Sequence, residues 1–372
     1  MMMPQTEAEL AGLVMDAAGP LLVQGNGTKS AMLRPVQAAQ TLSTKAMSGI
    51  TLYAPNELVM SARAGTPLAE IEEALAAHNQ QLVAEPSHLF GAEQTIGGVV
   101  GANMSGPRRI SGGAMRDHVL GVRLVNGSGE ILNFGGRVLK NVTGLDVAKL
   151  VTGSFGTLAV MTEITFKVAP RSEATGTLVL PGLDAKAAVK ALSAGLGSPF
   201  CVSGAAYVPA TQTAYLRIEE FAPSVTYRCQ ALAKQLGGGE VLGTEASLEL
   251  WRDIRDCKML PPGDALWRVS VAPSAGPAVL EAVAAQGVSG FLDWGGGLVW
   301  LAGPATQEAH DAVCAAARAA HGVWWLMRGP EALRAAVDVL PPESAALAAL
   351  RRRVQQSFDP RGIFNPLKLQ AA

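Results

Sequence analysis

Thr95-Ile96-Gly97-Gly98-Val99-Val100-Gly101-Ala102-Asn103-Met104-Ser105-Gly106 is a run of glycine and short side chains with no bulky polar residue in it. Backbone this bare lets a large flat cofactor lie against it, with Thr95, Asn103 and Ser105 supplying hydroxyl and amide hydrogen bonds. Upstream, Gln24-Gly25-Asn26-Gly27-Thr28-Lys29 follows Pro20 to Val23, which reads as a short buried strand. Glycines there permit positive φ and close backbone approach, so successive N–H groups can face one anion; an ordinary tight turn explains the same spacing. The loop is no Rossmann fingerprint, because Ser30 stands where the third glycine of GxGxxG belongs. Nor is it a Walker A loop, since Thr28 separates Gly27 from Lys29. Two such clusters in one domain point to a cofactor bearing a diphosphate.

Outward from these clusters, the first half alternates short strands, helices and glycine loops without a regular βαβ repeat, which is the order of an α+β fold. Glu7 to Ala18 has helical spacing, and Leu58 to Arg63 reads as a strand. Thr66 is placed to cap a helix whose first residue is Pro67, with Ile71, Ala74 and Leu75 on its buried face. Gly91 to Gly113 reads as loop. Val119 to Val125 and Glu130 to Phe134 are strands joined at Asn126-Gly127, a pair that favours positive φ. The strand Leu158 to Val168 stops at Pro170, where the first boundary is drawn. Beyond it, Ala-rich helical stretches (Asp184 to Leu196, Ser224 to Leu236, Ala275 to Gly287, Ala305 to His321) alternate with strand-like segments near Ala205 to Glu219, Trp267 to Val271, Gly297 to Ala302 and Val323 to Arg328. This pattern predicts an antiparallel sheet covered by helices, the build of a cap. A last helix, Pro342 to Phe358, leads to a tail expected to return to the first domain. The expected division is 1–170, 171–330 and 331–372.

Composition narrows the function classes. The chain has 372 residues, formal net charge −1 and no basic surplus, which argues against nucleic acid. Cys201, Cys229, Cys257 and Cys314 stand far apart, without the CxxC spacing of zinc or iron–sulfur ligands. Met1 to Glu9 lacks the basic start and apolar stretch of a signal peptide, and no apolar run reaches the length that spans a bilayer. A cytoplasmic protein is expected.

The ordered set is more specific than any member of it. Gln24 to Thr28, Pro86, Thr95-Ile96-Gly97-Gly98, Met115-Arg116-Asp117-His118-Val119-Leu120-Gly121, Lys140-Asn141-Val142-Thr143-Gly144-Leu145-Asp146 and Gly153-Ser154-Phe155-Gly156-Thr157-Leu158 together resemble the FAD-binding domain of the vanillyl-alcohol oxidase/PCMH superfamily. Phe358-Asp359-Pro360 to Asn365-Pro366 is similar to the tail of its 2-hydroxy-acid dehydrogenase branch, within which the chain most resembles the FAD-binding subunits of glycolate oxidases. The resemblance runs through residues 1–170 and the terminal segment, and is weak in between. It implies a PCMH-type FAD-binding domain plus a cap. It puts the FAD diphosphate on Gly25, Asn26, Gly27 and Thr28, with Pro86, Thr95, Ile96, Gly97, Gly98, Asn103, Ser105 and Gly106 along the other side. By the same resemblance Val160 meets the adenine or ribose end through its backbone, and Asn365 sits near the flavin ring. Some superfamily members tether FAD through a histidine in the first glycine loop; this loop has neither His nor Cys, so FAD is expected to be non-covalent.

The departures matter equally. Catalytic flavoproteins of this branch resemble one another in a His-rich metal site that includes Gly-Asp-Gly-Asn-x-His, and no such run occurs here. His78, His88, His118, His310 and His321 lack metal spacing, and Gly112-Gly113 replaces the Tyr-Gly that commonly precedes the Arg-Asp run. No metal site is expected, and no catalytic residue is assigned. Arg328 ends a strand and could face flavin or an anionic substrate, or form a surface salt bridge; Trp294, Trp300, Trp324 and Trp325 could line a cleft or simply pack. The resemblance implies a subunit that works with a larger homologous FAD subunit and an iron–sulfur subunit. Such a complex oxidises glycolate, with D-lactate as a further candidate, and meets the inner face of the plasma membrane only through partners. A self-sufficient FAD-dependent 2-hydroxy-acid dehydrogenase and a non-catalytic scaffold subunit are the alternatives.

Overall fold

The computed structural model describes residues 1–91, 93–137 and 144–369. Lys140-Asn141-Val142-Thr143 of the resemblance lies outside the described residues.

The protein has an α+β fold with two large sheets. The first has five strands in the order Ile50–Ala54, Val59–Arg63, Val160–Lys167, Val119–Val125, Ile131–Gly135, all antiparallel. Val160–Lys167 alternates buried and half-exposed positions over its second half, and buried residues of the sheet pack with those of Leu68–Ala76 and Ile96–Gly101. Beside it, Leu21–Gln24 pairs in parallel with Gln40–Ser43 and delivers the chain directly into the Gly25–Thr28 loop.

The second sheet has eight strands, ordered Glu240–Leu242, Ala174–Leu180, Thr213–Glu220, Val202–Val208, Ser289–Asp293, Leu298–Gly303, Ala265–Ser270, Val323–Arg328. The helices Ala185–Leu196, Ala222–Leu236, Gly276–Val283 and Gln307–Ala319 form a layer on one face. Cys229 packs at Gly176, Leu216 at Gly195, and Trp267 donates to His310 Nδ1 (3.1 Å). The opposite face turns to residues 85–113 of the first half. Arg217 reaches Glu85, Ser111 donates to Ser203 O, and Trp294 Nε1 donates to Gly106 O (3.1 Å). One hydrophobic core consequently runs through both sheets.

The tail fastens to the first half. Leu21 N donates to Ile363 O, Asn365 N donates to Leu21 O, and the Arg361 guanidinium collects the carbonyls of Val14, Met15, Ala17 and Gly127.

Several sequence expectations need correction. Gly91 to Gly113 is not all loop, since Ile96–Gly101 and Arg109–Gly112 are helical. Small residues let that chain coil against Ala64, where a Cβ at Gly97 would lie 2.7 Å from the Ala64 carbonyl. Thr66 does not cap Leu68–Ala76; its hydroxyl donates to Arg63 O (2.6 Å) and accepts from Gly49 N, and Pro67 holds the cap position. At Asn126-Gly127 the positive φ falls instead on Gly129, because Asn126 Oδ1 gathers the amides of Ser128 and Glu130 into a wider loop. Ala205 to Glu219 is two strands hinged at Pro209–Thr211. The helix Thr244–Arg255 and the strands Ala174–Leu180 and Ser289–Asp293 were not anticipated.

Candidate functional site

A cleft opens between the two glycine clusters. One wall is Leu22 to Ser30, the other Thr95, Gly97, Gly98, Gly101 and Ala102, and the floor is Phe155, Gly156 and Ala159 to Met161 with Asn365 and Lys368. The walls approach closely because they lack side chains: a Cβ at Gly25 would sit 2.2 Å from Thr95 Oγ1. Gly27 has φ +75°, a conformation that leaves the loop amides free of a Cβ penalty. Thr95 caps Ile96–Gly101 by accepting from Gly98 N (3.2 Å).

Of the residues expected to hold the cofactor, Gly25, Asn26, Gly27, Thr28, Thr95, Gly97, Gly98, Val160 and Asn365 line this cleft together. The others do not. Ile96 is buried in the core beneath the wall, and Pro86 is buried among residues that meet the second sheet. Asn103 Oδ1 accepts from Arg116 N (3.0 Å), and the Ser105 hydroxyl accepts from Met115 N (3.0 Å). Both side chains fix the following turn to the glycine segment. Gly106 lies at the junction, where a Cβ would stand 2.2 Å from Glu85 O. Asn365 spends its amide on backbone: Oδ1 accepts from Val23 N (2.8 Å), while Nδ2 donates to Val23 O (3.0 Å) and Phe155 O (2.8 Å).

Two lysines that sequence reasoning passed over also line the cleft. Lys29 Nζ donates to Gln94 Oε1 (2.7 Å), and burial pushes its ammonium down to about 8. Lys368 is 7% exposed; its Nζ donates to Met32 O (2.5 Å), and burial, reinforced by Arg334, pushes it to about 8 as well. Among the described residues, no acidic side chain lines the cleft, and neither do His or Cys. The signal for Lys29 was available, since it follows the first glycine loop directly; Lys368, more than three hundred residues away, had none.

A second buried charge cluster lies at the junction with the eight-stranded sheet. Arg217 grips Glu85 with two bonds (2.8 and 3.0 Å), and Arg108 grips Glu219 with two more (3.1 and 2.8 Å). Burial opposes the charge on Glu219, yet Arg217 and Arg108 outweigh it and hold the carboxyl at about 2. Nearby, Arg268 lies over the rings of Trp294 (5.0 Å) and Trp325 (5.8 Å), and Arg109 covers Trp294 (4.5 Å). Neither arginine forms an ion pair with a carboxylate among the described residues. Trp325 in turn touches Phe155 of the cleft floor (5.6 Å). Burial pushes Asp293 up to about 7. Trp300 and Trp324 are buried, and Arg328 is exposed at its strand end. His118 bonds Gly112 O (2.8 Å), His78 packs edge-on to Tyr53, and His88 pairs with Glu72 (3.0 Å), so these three histidines serve local structure. The four cysteines are unpaired.

Residues 1–135 match the family model of an FAD binding domain. The chain is 37% identical to glycolate oxidase subunit GlcE of Escherichia coli K12, covering 95% of this chain and 93% of that one. It is 32% identical to a D-lactate dehydrogenase of Archaeoglobus fulgidus over 44% of this chain and 36% of the relative. Its fold superposes on alkyldihydroxyacetonephosphate synthase with TM-score 0.71 at 16% identity, covering 99% of this chain and 77% of that one. The chain therefore belongs to the family of glycolate oxidase GlcE subunits, within the PCMH-type FAD-binding flavoproteins.

Proposed function

We propose that this chain is the FAD-binding subunit of a complex that oxidises a small 2-hydroxy acid, glycolate in the first place and D-lactate as a further candidate. The carrying observation is the cleft between two glycine walls, bare of acidic side chains and floored by the chain's returning tail. Gly25, Asn26, Gly27 and Thr28 face the diphosphate, Thr95, Gly97 and Gly98 oppose them, and the Val160 backbone meets the adenine end. Asn365 holds the floor beside Phe155, toward the flavin end. With no His or Cys along the walls among the described residues, FAD is held non-covalently. Bound FAD supplies the two-electron redox chemistry; the protein orients it and excludes water. Residues 1–170 make the FAD domain, 171–330 the cap, and 331–372 the segment that closes back on the first. Electrons leave through a partner iron–sulfur subunit, and a larger homologous flavoprotein carries the metal-assisted substrate site. Among the described residues, no helix is long and apolar enough to cross a membrane, so contact with one is assigned to partners.

A second reading has its own support. Arg268, which forms no ion pair among the described residues, and Asp293, pushed up to about 7 by burial, lie in the same eight-stranded sheet. A cation for a substrate carboxylate and a group able to take its hydroxyl proton are what a self-sufficient dehydrogenase needs. The visible spectrum of the purified chain separates the readings. Acid-releasable flavin that glycolate leaves oxidised supports the dependent subunit. Bleaching by glycolate alone makes this chain the dehydrogenase. A colourless protein that also refuses added FAD defeats both.

A further inference from the structure

The cleft carries positive charge that the fold does not neutralise. Among the described residues, Lys29 and Lys368 are the two charged residues in its lining. Behind them, Arg334 Nη1 donates to Ser30 O (3.3 Å) and Leu33 O (3.0 Å), and its Nε donates to Gly329 O (2.9 Å). All three cations are thus satisfied by neutral oxygens, and none forms an ion pair among the described residues. Lys368 and Arg334 are each 7% exposed. Burying ammonium and guanidinium groups without counter-charge is costly, and folded proteins seldom leave such groups unpaired. Of the other strongly buried arginines, Arg108 and Arg217 are matched by glutamates, while Arg268 lies against the rings of Trp294 and Trp325. An unmatched trio around one glycine loop marks the place of an anion that comes from outside the chain.

Resting on the FAD reading above, we propose that Lys29 and Lys368, backed by Arg334, form a dianion receptor for the pyrophosphate group of the dinucleotide. The two ammonium groups reach the cleft from different parts of the chain, one from the glycine loop and one from the tail after Asn365. A bound pyrophosphate therefore ties the tail to the loop, and FAD binding closes the first domain as well as loading it. The same receptor accepts free pyrophosphate or ADP, whereas riboflavin, which has no phosphate, draws nothing from it. Protonated lysines are required. The groups facing them are Gln94 and Phe90 around Lys29, Met32 O and Arg334 around Lys368, Glu93 at the mouth on Asn26, and Glu331 near Arg334. Affinity for FAD accordingly falls as pH rises through about 8, where burial places both lysines.

The test uses the full chain stripped of flavin at high salt, with FAD binding followed by quenching of flavin fluorescence. Lys29→Gln and Lys368→Gln are each expected to weaken FAD about ten- to a hundredfold, the worth of a charge-assisted hydrogen bond. Lys29→Arg should stay near wild type, and riboflavin affinity should not change in any variant. Inorganic pyrophosphate should compete with FAD and raise the melting temperature of the stripped wild type but not of the Gln variants. Melting curves without ligand exclude misfolding as the cause. FAD affinity within twofold of wild type in both folded Gln variants overturns the proposal, as does FAD binding that pyrophosphate cannot displace. Pyrophosphate binding without FAD binding upholds the receptor while defeating the FAD reading.

Discussion

The junction and the cleft both bury charge, and they treat it in opposite ways. At the junction Arg108 and Arg217 meet Glu85 and Glu219 in a closed set of bidentate bonds between residues 85–108 and the eight-stranded sheet. In the cleft, Lys29, Lys368 and Arg334 meet carbonyl and amide oxygens alone. A closed set is complete within the chain and serves assembly of the two halves; an open set is completed by a ligand. The largest expected effect follows from breaking the closed one. Arg217→Met leaves the buried Glu85 with only the Arg108 amide and a longer Arg108 guanidinium contact (3.6 Å), and removes the guanidinium stacked on Trp251 (4.6 Å), so unfolding free energy in urea should fall by about 3–5 kcal/mol. Adding Glu85→Leu should recover much of that loss, since Arg108 and Glu219 still neutralise each other. A single variant losing under about 1 kcal/mol would mean that the junction's pairing does not hold the halves together.

Next in size is the tail. Asn365→Ala deletes three hydrogen bonds to Val23 and Phe155, leaving buried backbone groups unpaired at about 2–3 kcal/mol. Because the same residue floors the cleft, FAD affinity should fall too; a stability loss without an affinity loss would separate tail from cofactor. The two charge sets also respond to opposite ends of the pH scale. Glu219 is held at about 2, far below its ordinary 4.5, and Glu85 is lowered as well. The stability they contribute is complete above about pH 5 and drains away as pH falls toward 2. The lysines are shifted down from 10.5 to about 8, so between those values the unfolded chain holds more protons than the folded one. Stability of the flavin-free protein attributable to them therefore rises with pH across that window. The difference in melting temperature between wild type and Lys29→Gln/Lys368→Gln, followed from pH 7 to 10, checks this. A difference that stays constant removes the lysines from the account.

The same contrast shows how much was written locally in the sequence. The α+β order, the glycine walls, most strands and four of the helices beside the eight-stranded sheet follow from periodicity, caps and turn residues, which act over a few positions. What escaped depends on distant partners. Asn103 and Ser105 carry the right groups for a cofactor, yet the turn at Met115 and Arg116 claims them. Gly127 looks like a hairpin glycine, but its missing Cβ makes room for Asp359, whose Oδ1 would stand 2.4 Å away. Ser289–Asp293 was missed because Gly290 interrupts its pattern; a Cβ there would meet Trp300 O at 2.0 Å, so the glycine serves strand approach. Lys368 reaches the cleft through a tail whose placement no local rule encodes.

The smallest effect has the opposite sign and bears most directly on the contrast. If the cleft's charge serves a ligand, it is a burden on the flavin-free protein, and removing part of it should help folding. Lys29→Met keeps the length and apolar character of the stem, loses the bond to Gln94, and relieves burial of one ammonium. Flavin-free Lys29→Met should therefore be unchanged or more stable by about 0.5–1 kcal/mol in urea, while its affinity for FAD drops. At saturating FAD the order reverses, because wild type gains more from binding than the variant does. A variant less stable than wild type without FAD by more than about 1 kcal/mol would show that the Lys29–Gln94 bond holds the loop for folding. The distinction between a set complete within the chain and a set completed by a ligand would then fail at its most accessible residue.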